Sequence, residues 1–134
     1  SGETYNFCKS YVIQNNLESY VIFEKERDHD QLNRFYNEIN LFVLPSYYEA
    51  LGCVLLEAWA TNTPIISIKN QGIGEVLPEN ELEDLLAERQ NPESLKEKIV
   101  IEYKRKRDLI FDEKYDIKNT ITEFLKQSIF EYGE

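Results

Sequence analysis

The stretch Leu41–Ile68, LFVLPSYYEALGCVLLEAWATNTPIISI, decides the fold, because two apolar runs in it frame one helix-forming segment. Leu41, Phe42, Val43 and Leu44 are apolar without alternation, the pattern of a strand buried on both faces of a parallel sheet. Pro45 ends that strand. The loop Ser46–Ala50 then leads to a helix predicted to begin near Leu51 or Gly52 and to run to about Thr61. Asn62 can take the left-handed position at its C-terminus, and Pro64 prevents continuation. Ile65–Ile68 is a second apolar run. Two buried strands joined by one helix form a βαβ unit, whose crossover is right-handed and whose ligands gather at the carboxyl ends of the strands. Glu49 lies on the loop at that end.

Glu57 is the odd residue of this unit. Its helical neighbours Cys53, Val54, Ala60 and Thr61 are apolar or small, and a carboxylate on such a face loses hydration unless something hydrogen-bonds it. Two readings stand side by side: a partly exposed Glu or one paired to a distant cation, and a carboxylate held to accept hydroxyl hydrogen bonds from a ligand over the helix start.

The strand closed by Pro45-Ser46, Glu49 and Glu57 separated by seven residues, Gly52 before the helix and the exit Thr63-Pro64-Ile65-Ile66 together resemble the retaining glycosyltransferases of the GT-B fold, the large family four. The resemblance runs in register over roughly Leu17 to Ile99. It implies a Rossmann-like three-layer α/β/α domain with a mainly parallel sheet, the C-terminal, donor-binding half of a GT-B fold that lacks its first strands. It implies a nucleotide-diphosphate sugar as donor, retention at the anomeric carbon, and no catalytic metal or other cofactor.

Physical chemistry agrees with those roles. Gly52 lets the backbone approach a bulky anion, and the free amides of Gly52, Cys53 and Val54 point toward it. The helix dipole adds about half a positive charge there, which favours a diphosphate without a metal. In the family the first Glu serves the transferred sugar and the second binds ribose, so the resemblance makes Glu49 catalytic and Glu57 donor-binding; Leu51, Gly52, Cys53 and Val54 at the helix start complete the expected donor-binding set. A carboxylate beside the sugar can orient hydroxyls or stabilise oxocarbenium-like charge. The competing reading, from a different class, is a non-catalytic Rossmann-like nucleotide-binding or structural module.

A chain of 134 residues suffices for one domain, 1–134, and not for two. Its 15 basic against 25 acidic residues argue against a nucleic-acid partner, which requires a basic stripe. No apolar run approaches a membrane span and no signal peptide is visible, so the expected location is the cytoplasm, peripheral to the inner face of the membrane in a full-length enzyme. Cys8 and Cys53 have neither metal spacing nor a disulfide framework, and Cys53 is expected to pack rather than react.

Upstream, a helix is predicted over Glu3–Asn16 with Tyr5, Cys8 and Val12 on one face, followed by a short strand at Tyr20–Phe23. His29, between Asp28 and Asp30, reads as a solvated loop residue, since no catalytic partner is spaced for it. Asp30 is expected to cap a helix over Gln31–Ile39, whose Leu32, Phe35, Tyr36 and Ile39 mark the core side. Downstream, Gly72 and Gly74 permit close backbone approach in a turn after Ile68, and Leu85-Leu86-Ala87 is a candidate final strand. Asn91-Pro92 is a helix start, with Leu95, Ile99 and Tyr103 on the buried side. The run Lys104–Arg107 reads as a solvated helix end or a contact to anionic lipid, and a last helix is expected over about Asp116–Tyr132, with Ile117, Ile121, Phe124, Leu125 and Ser128 at helical spacing.

The family pattern places two further strands ahead of Ser1, between Tyr20–Phe23 and Leu41–Leu44 in the sheet order 3-2-1-4-5-6. Without them the flanking strands would stand about three 4.8 Å spacings apart with unpaired backbone groups. The expectation is therefore element swapping with a second copy, a homo-oligomer through exposed sheet edges, or Tyr20–Phe23 closing directly on Leu41–Leu44. The acceptor, a saccharide or lipid-linked saccharide, is expected to bind a missing N-terminal domain.

Overall fold

A computed structural model describes residues 2–105, 111–116 and 118–119. The closing helix expected over 116–132 falls almost wholly outside the described residues, as do Lys106 and Arg107. The chain divides into two compact units, Ser1–Leu32 and Asn33–Glu134.

In the first unit, α1 spans Tyr5–Gln14, inside the predicted bounds. Val12 is buried, Tyr5 sits edge-on to Phe23 with centroids 5.5 Å apart, and Cys8 is exposed. Tyr20–Phe23 does not form the expected strand. The amides of Tyr20 and Val21 both bond to the Leu17 carbonyl, at 2.9 and 3.0 Å, so a local turn takes the donors a sheet ladder would need. Tyr20 and Ile22 are exposed.

Helix α2, His29–Glu38, begins earlier than predicted. The Gln31 amide bonds to the Asp28 carbonyl, which places Asp30 inside the first turn instead of at the cap. There its carboxylate still complements the helix dipole. Tyr36 is buried and Phe35 and Ile39 are half-buried, as their spacing predicts.

The second unit is an α/β structure around a three-stranded parallel sheet, β1 (Phe42–Val43), β2 (Ile65–Ile68) and β3 (Leu86–Ala87), in the order β1-β2-β3. Phe42 pairs with Ile65, Val43 with Ile66, Ser67 with Leu86 and Ile68 with Ala87. All four residues of β2 are buried, which explains its unalternated apolar pattern. Leu41–Leu44 are only half-buried, against expectation, because β1 pairs on one side alone among the described residues. The expected pairing of a Tyr20–Phe23 strand with Leu41–Leu44 is not formed, since Tyr20–Phe23 is not a strand.

Between β1 and β2 runs α3, Cys53–Ala60, which packs Leu55, Ala58 and Trp59 fully out of solvent. It ends as predicted. Asn62 is left-handed (φ 59°), its amide bonds to the Trp59 carbonyl at 2.9 Å, and the Thr63 amide reaches the Ala58 carbonyl at 3.0 Å, a Schellman closure. Ile65, Ile66, Ile73 and Leu85 complete the core, each contributing roughly 1.5–3 kcal/mol by burial.

After the short helix α4 (Leu82–Leu85) and β3, α5 spans Pro92–Arg105. The Ser94 amide donates to Asn91 Oδ1 at 3.1 Å, confirming the cap. Asn91→Ala should lower stability by about 1 kcal/mol, read as a reduced urea midpoint at unchanged m-value. Leu95 and Ile99 are half-buried as expected, but Tyr103 is exposed and Glu102 is buried in its stead. Both positions continue the Leu95–Ile99 stripe, at seven and eight residues, so spacing alone could not choose between them.

Candidate functional site

The loop after β1 is held by its carbonyls. Gln71 Nε2 donates to Ser46 O at 2.7 Å, and Arg89 Nη2 donates to Tyr47 O at 3.1 Å while its guanidinium lies 4.4 Å from the centroid of the Tyr47 ring. A third tie comes from Ser67 Oγ to Leu44 O, 3.2 Å. Gly72 completes the support. It opens a 3₁₀ turn, Gly72–Glu75, that lies against the loop so closely that a Cβ would stand 2.9 Å from the Ala50 carbonyl carbon and overlap its oxygen. The close approach that glycine permits here is to the protein's own backbone.

These ties present an open cavity of about 800 Å³ at the carboxyl ends of the strands. Tyr47, Tyr48, Glu49 and Ala50 form one wall, and Lys69, Asn70, Gln71, Gly72 and Arg89 lie among the residues opposite. Glu49 is half-buried, and its carboxylate takes no hydrogen bond or ion pair among the described residues. Gln71 Oε1 is buried and accepts nothing among the described residues. The cavity therefore offers one unpartnered acceptor, the Glu49 carboxylate, to a hydroxyl-rich ligand, while Gln71 Oε1 lies sealed behind its wall.

Beside the loop, Gly52 carries a left-handed backbone (φ 73°) and hands the chain to α3. No side chain caps the helix, and the Leu55 amide turns back to Gly52 O at 2.7 Å. A Cβ at Gly52 would meet Leu55 Cδ1 at 2.9 Å and Glu49 Cγ at 3.1 Å, so the Glu49 stem lies over this glycine. Uncapped amides at a helix start form an anion site. Leu51 and Val54 are half-buried; Cys53 is exposed, not packed as expected.

Glu57 sits one turn further along α3. Its Oε2 accepts from the phenol of Tyr36 at 2.9 Å, with no Lys or Arg as partner among the described residues. Of the residues that sequence reading assigned to the site, Glu49 lines the cavity, while Leu51, Gly52, Cys53, Val54 and Glu57 do not.

Burial, followed by the hydrogen bond to Glu57 and its negative charge, pushes the Tyr36 phenol up from about 10 to about 12. A raised folded-state value means that the folded chain keeps a proton the unfolded chain has lost. Its stabilisation is thus complete below pH 10 and disappears as pH rises toward 12. Thermal melts of the parent and Tyr36→Phe forms should differ most below pH 10 and converge through that window.

Sequence reading missed Lys69, Gln71, Arg89 and the partner role of Tyr36. The signal for the first three was their place just beyond the carboxyl ends of β2 and β3. Lys69 pairs with Glu88 at 2.7 Å and Glu83 at 3.2 Å; hydrogen bonds to Glu88, then Glu83, raise its pKa, and Lys69 in turn holds Glu83 below the usual carboxylate range.

The second unit is thus a parallel α/β structure with an uncapped helix start and, at the strand ends, a carboxylate without a partner among the described residues. The chain belongs to the family of glycosyl transferases group 1, whose sequence model matches residues 1–123. It is 33% identical over 99 residues to an uncharacterized glycosyltransferase of Methanocaldococcus jannaschii, a match covering 74% of this chain and 28% of that protein. It is 40% identical over 43 residues to the lipopolysaccharide core biosynthesis glycosyltransferase LpsE of Rhizobium meliloti, covering 32% of this chain and 13% of that one. Sucrose-phosphate synthase from Thermosynechococcus elongatus superposes with a TM-score of 0.69 at 25% identity, over 94% of this chain and 34% of that one. The fold is thus similar to a GT-B glycosyltransferase domain. The part of the chain matched by the two Methanocaldococcus jannaschii relatives spans about a quarter of each. No helix among the described residues is long and apolar enough to cross a membrane.

Proposed function

We propose that this chain is the donor-binding part of an enzyme that transfers a sugar from a nucleotide-diphosphate sugar with retention of anomeric configuration. The observation that carries the reading is the unpartnered Glu49 carboxylate, lying over Gly52 where the uncapped start of α3 follows. In this reading the α3 amides and dipole, and not a metal ion, meet the diphosphate. Glu57 binds the ribose hydroxyls, and Glu49 orients the transferred sugar or stabilises charge at its anomeric carbon.

The acceptor, a saccharide or lipid-linked saccharide, binds a second domain, and the setting is cell-surface polysaccharide or glycolipid synthesis on the cytoplasmic side. The likeness to a lipopolysaccharide core glycosyltransferase supports that setting. The free edge of β1 would pair with further strands of the intact protein or with a second copy.

Glu57→Gln in the intact protein should weaken nucleoside-diphosphate binding by about 1–3 kcal/mol, the value of charge-assisted hydrogen bonds, with turnover at saturation little changed. Titration calorimetry and steady-state kinetics check this together. Unchanged affinity would remove Glu57 from the donor site.

A further inference from the structure

Tyr36 does more than fill the core. Its ring is buried and meets Phe42 of β1 edge-on, with centroids 5.5 Å apart. Its own carbonyl accepts from the buried Thr63 Oγ1 at 2.7 Å, which ties α2 to the turn between α3 and β2. The phenol is therefore fixed at its base by packing and by a buried hydrogen bond, and its Oη–H reaches across to Glu57 Oε2 at 2.9 Å. The other oxygen, Oε1, takes no hydrogen bond among the described residues.

A glutamate on a helix has three rotatable bonds and loses that freedom when it engages a ligand. A rigid donor on one carboxylate oxygen removes part of the loss in advance and leaves the second oxygen with its lone pairs in a set direction. We infer that Tyr36 is a positioning residue for the donor nucleotide, orienting Glu57 so that Oε1 receives a ribose hydroxyl. The inference rests on the reading that Glu57 binds ribose. A tyrosine that merely supported the fold would stabilise every bound nucleotide alike; one that acts through Glu57 distinguishes a ribose from a sugar without its 2′- and 3′-hydroxyls.

The test uses the intact protein in its parent, Tyr36→Phe and Glu57→Gln forms. Phe keeps the ring and its contact to Phe42, and thermal melting at pH 7 verifies that each form is folded. UDP, GDP and ADP are titrated by calorimetry, and the one that binds most tightly is compared with its 2′,3′-dideoxy counterpart. The expected result is that Tyr36→Phe weakens the ribonucleotide roughly 3- to 10-fold and leaves the dideoxynucleotide unchanged. Glu57→Gln should abolish the same discrimination. If Glu57→Gln lowers the ratio and Tyr36→Phe does not, or if Tyr36→Phe weakens both nucleotides equally, Tyr36 has no positioning role. If the Glu57→Gln form discriminates like the parent, or if the parent binds none of the three diphosphates, the ribose reading fails first and the role of Tyr36 falls with it.

Discussion

Glu49→Gln in the intact protein should lower turnover about 10²- to 10³-fold while donor affinity changes little, the loss found when one preorganised electrostatic contact to a transition state is removed. Glutamine keeps the shape and one carbonyl oxygen of the side chain and discards its negative charge. Because the carboxylate has no protein partner among the described residues, its removal leaves no orphaned cation behind. The deficit therefore reports on the reacting sugar and not on the fold. Nearly equal kcat values for the two forms, or a loss confined to affinity, would contradict the division of work between Glu49 and Glu57.

The second large effect is expected at Gly72. Gly72→Ala inserts a Cβ into the backbone carbonyl of Ala50, and Leu51 Cα would lie only 3.2 Å away. A flexible side chain could move aside, but a peptide group cannot do so without displacing either the 3₁₀ turn or the loop that carries Glu49. Overpacking of this kind costs about 3 kcal/mol. Chemical denaturation should show that loss, and the folded fraction that remains should turn over slowly because its loop is misplaced. The substitution Gly74→Ala is the control, since its Cβ would meet only Leu86 Cδ1, at 3.4 Å.

The βαβ unit was legible in the sequence because each signal in it has a local cause. An unalternated Ile65–Ile68 could only be buried on both faces, Asn62 could adopt the left-handed turn, and Asn91-Pro92 capped its helix. What failed depended on which partners the backbone groups found. Tyr20–Phe23 has the composition of a strand, but the amides of Tyr20 and Val21 are taken by a turn at Leu17, and composition cannot foresee the competitor. Leu41–Leu44 reads as doubly buried although β1 pairs on one side only among the described residues.

At the site, the place of Glu49 on the loop at the strand ends was legible from the motif, and the uncapped start of α3 from Gly52. Gln71 and Arg89 reach the loop over 25 and 42 residues of separation, and Tyr36 reaches Glu57 over 21, so no short window of sequence contains any of the three contacts. Tyr36 illustrates the limit: its helical spacing gave the correct burial, while its hydroxyl makes a long-range bond to Glu57 that spacing could not show.

The most direct measurement is time-resolved proton NMR of the intact protein turning over a nucleotide-diphosphate sugar, following the anomeric proton of the first product formed. The account predicts that the product carries the anomeric configuration of the donor and that Glu49→Gln suppresses its appearance about 10²-fold or more. A product of inverted configuration, or an unchanged rate in the Glu49→Gln form, would contradict it.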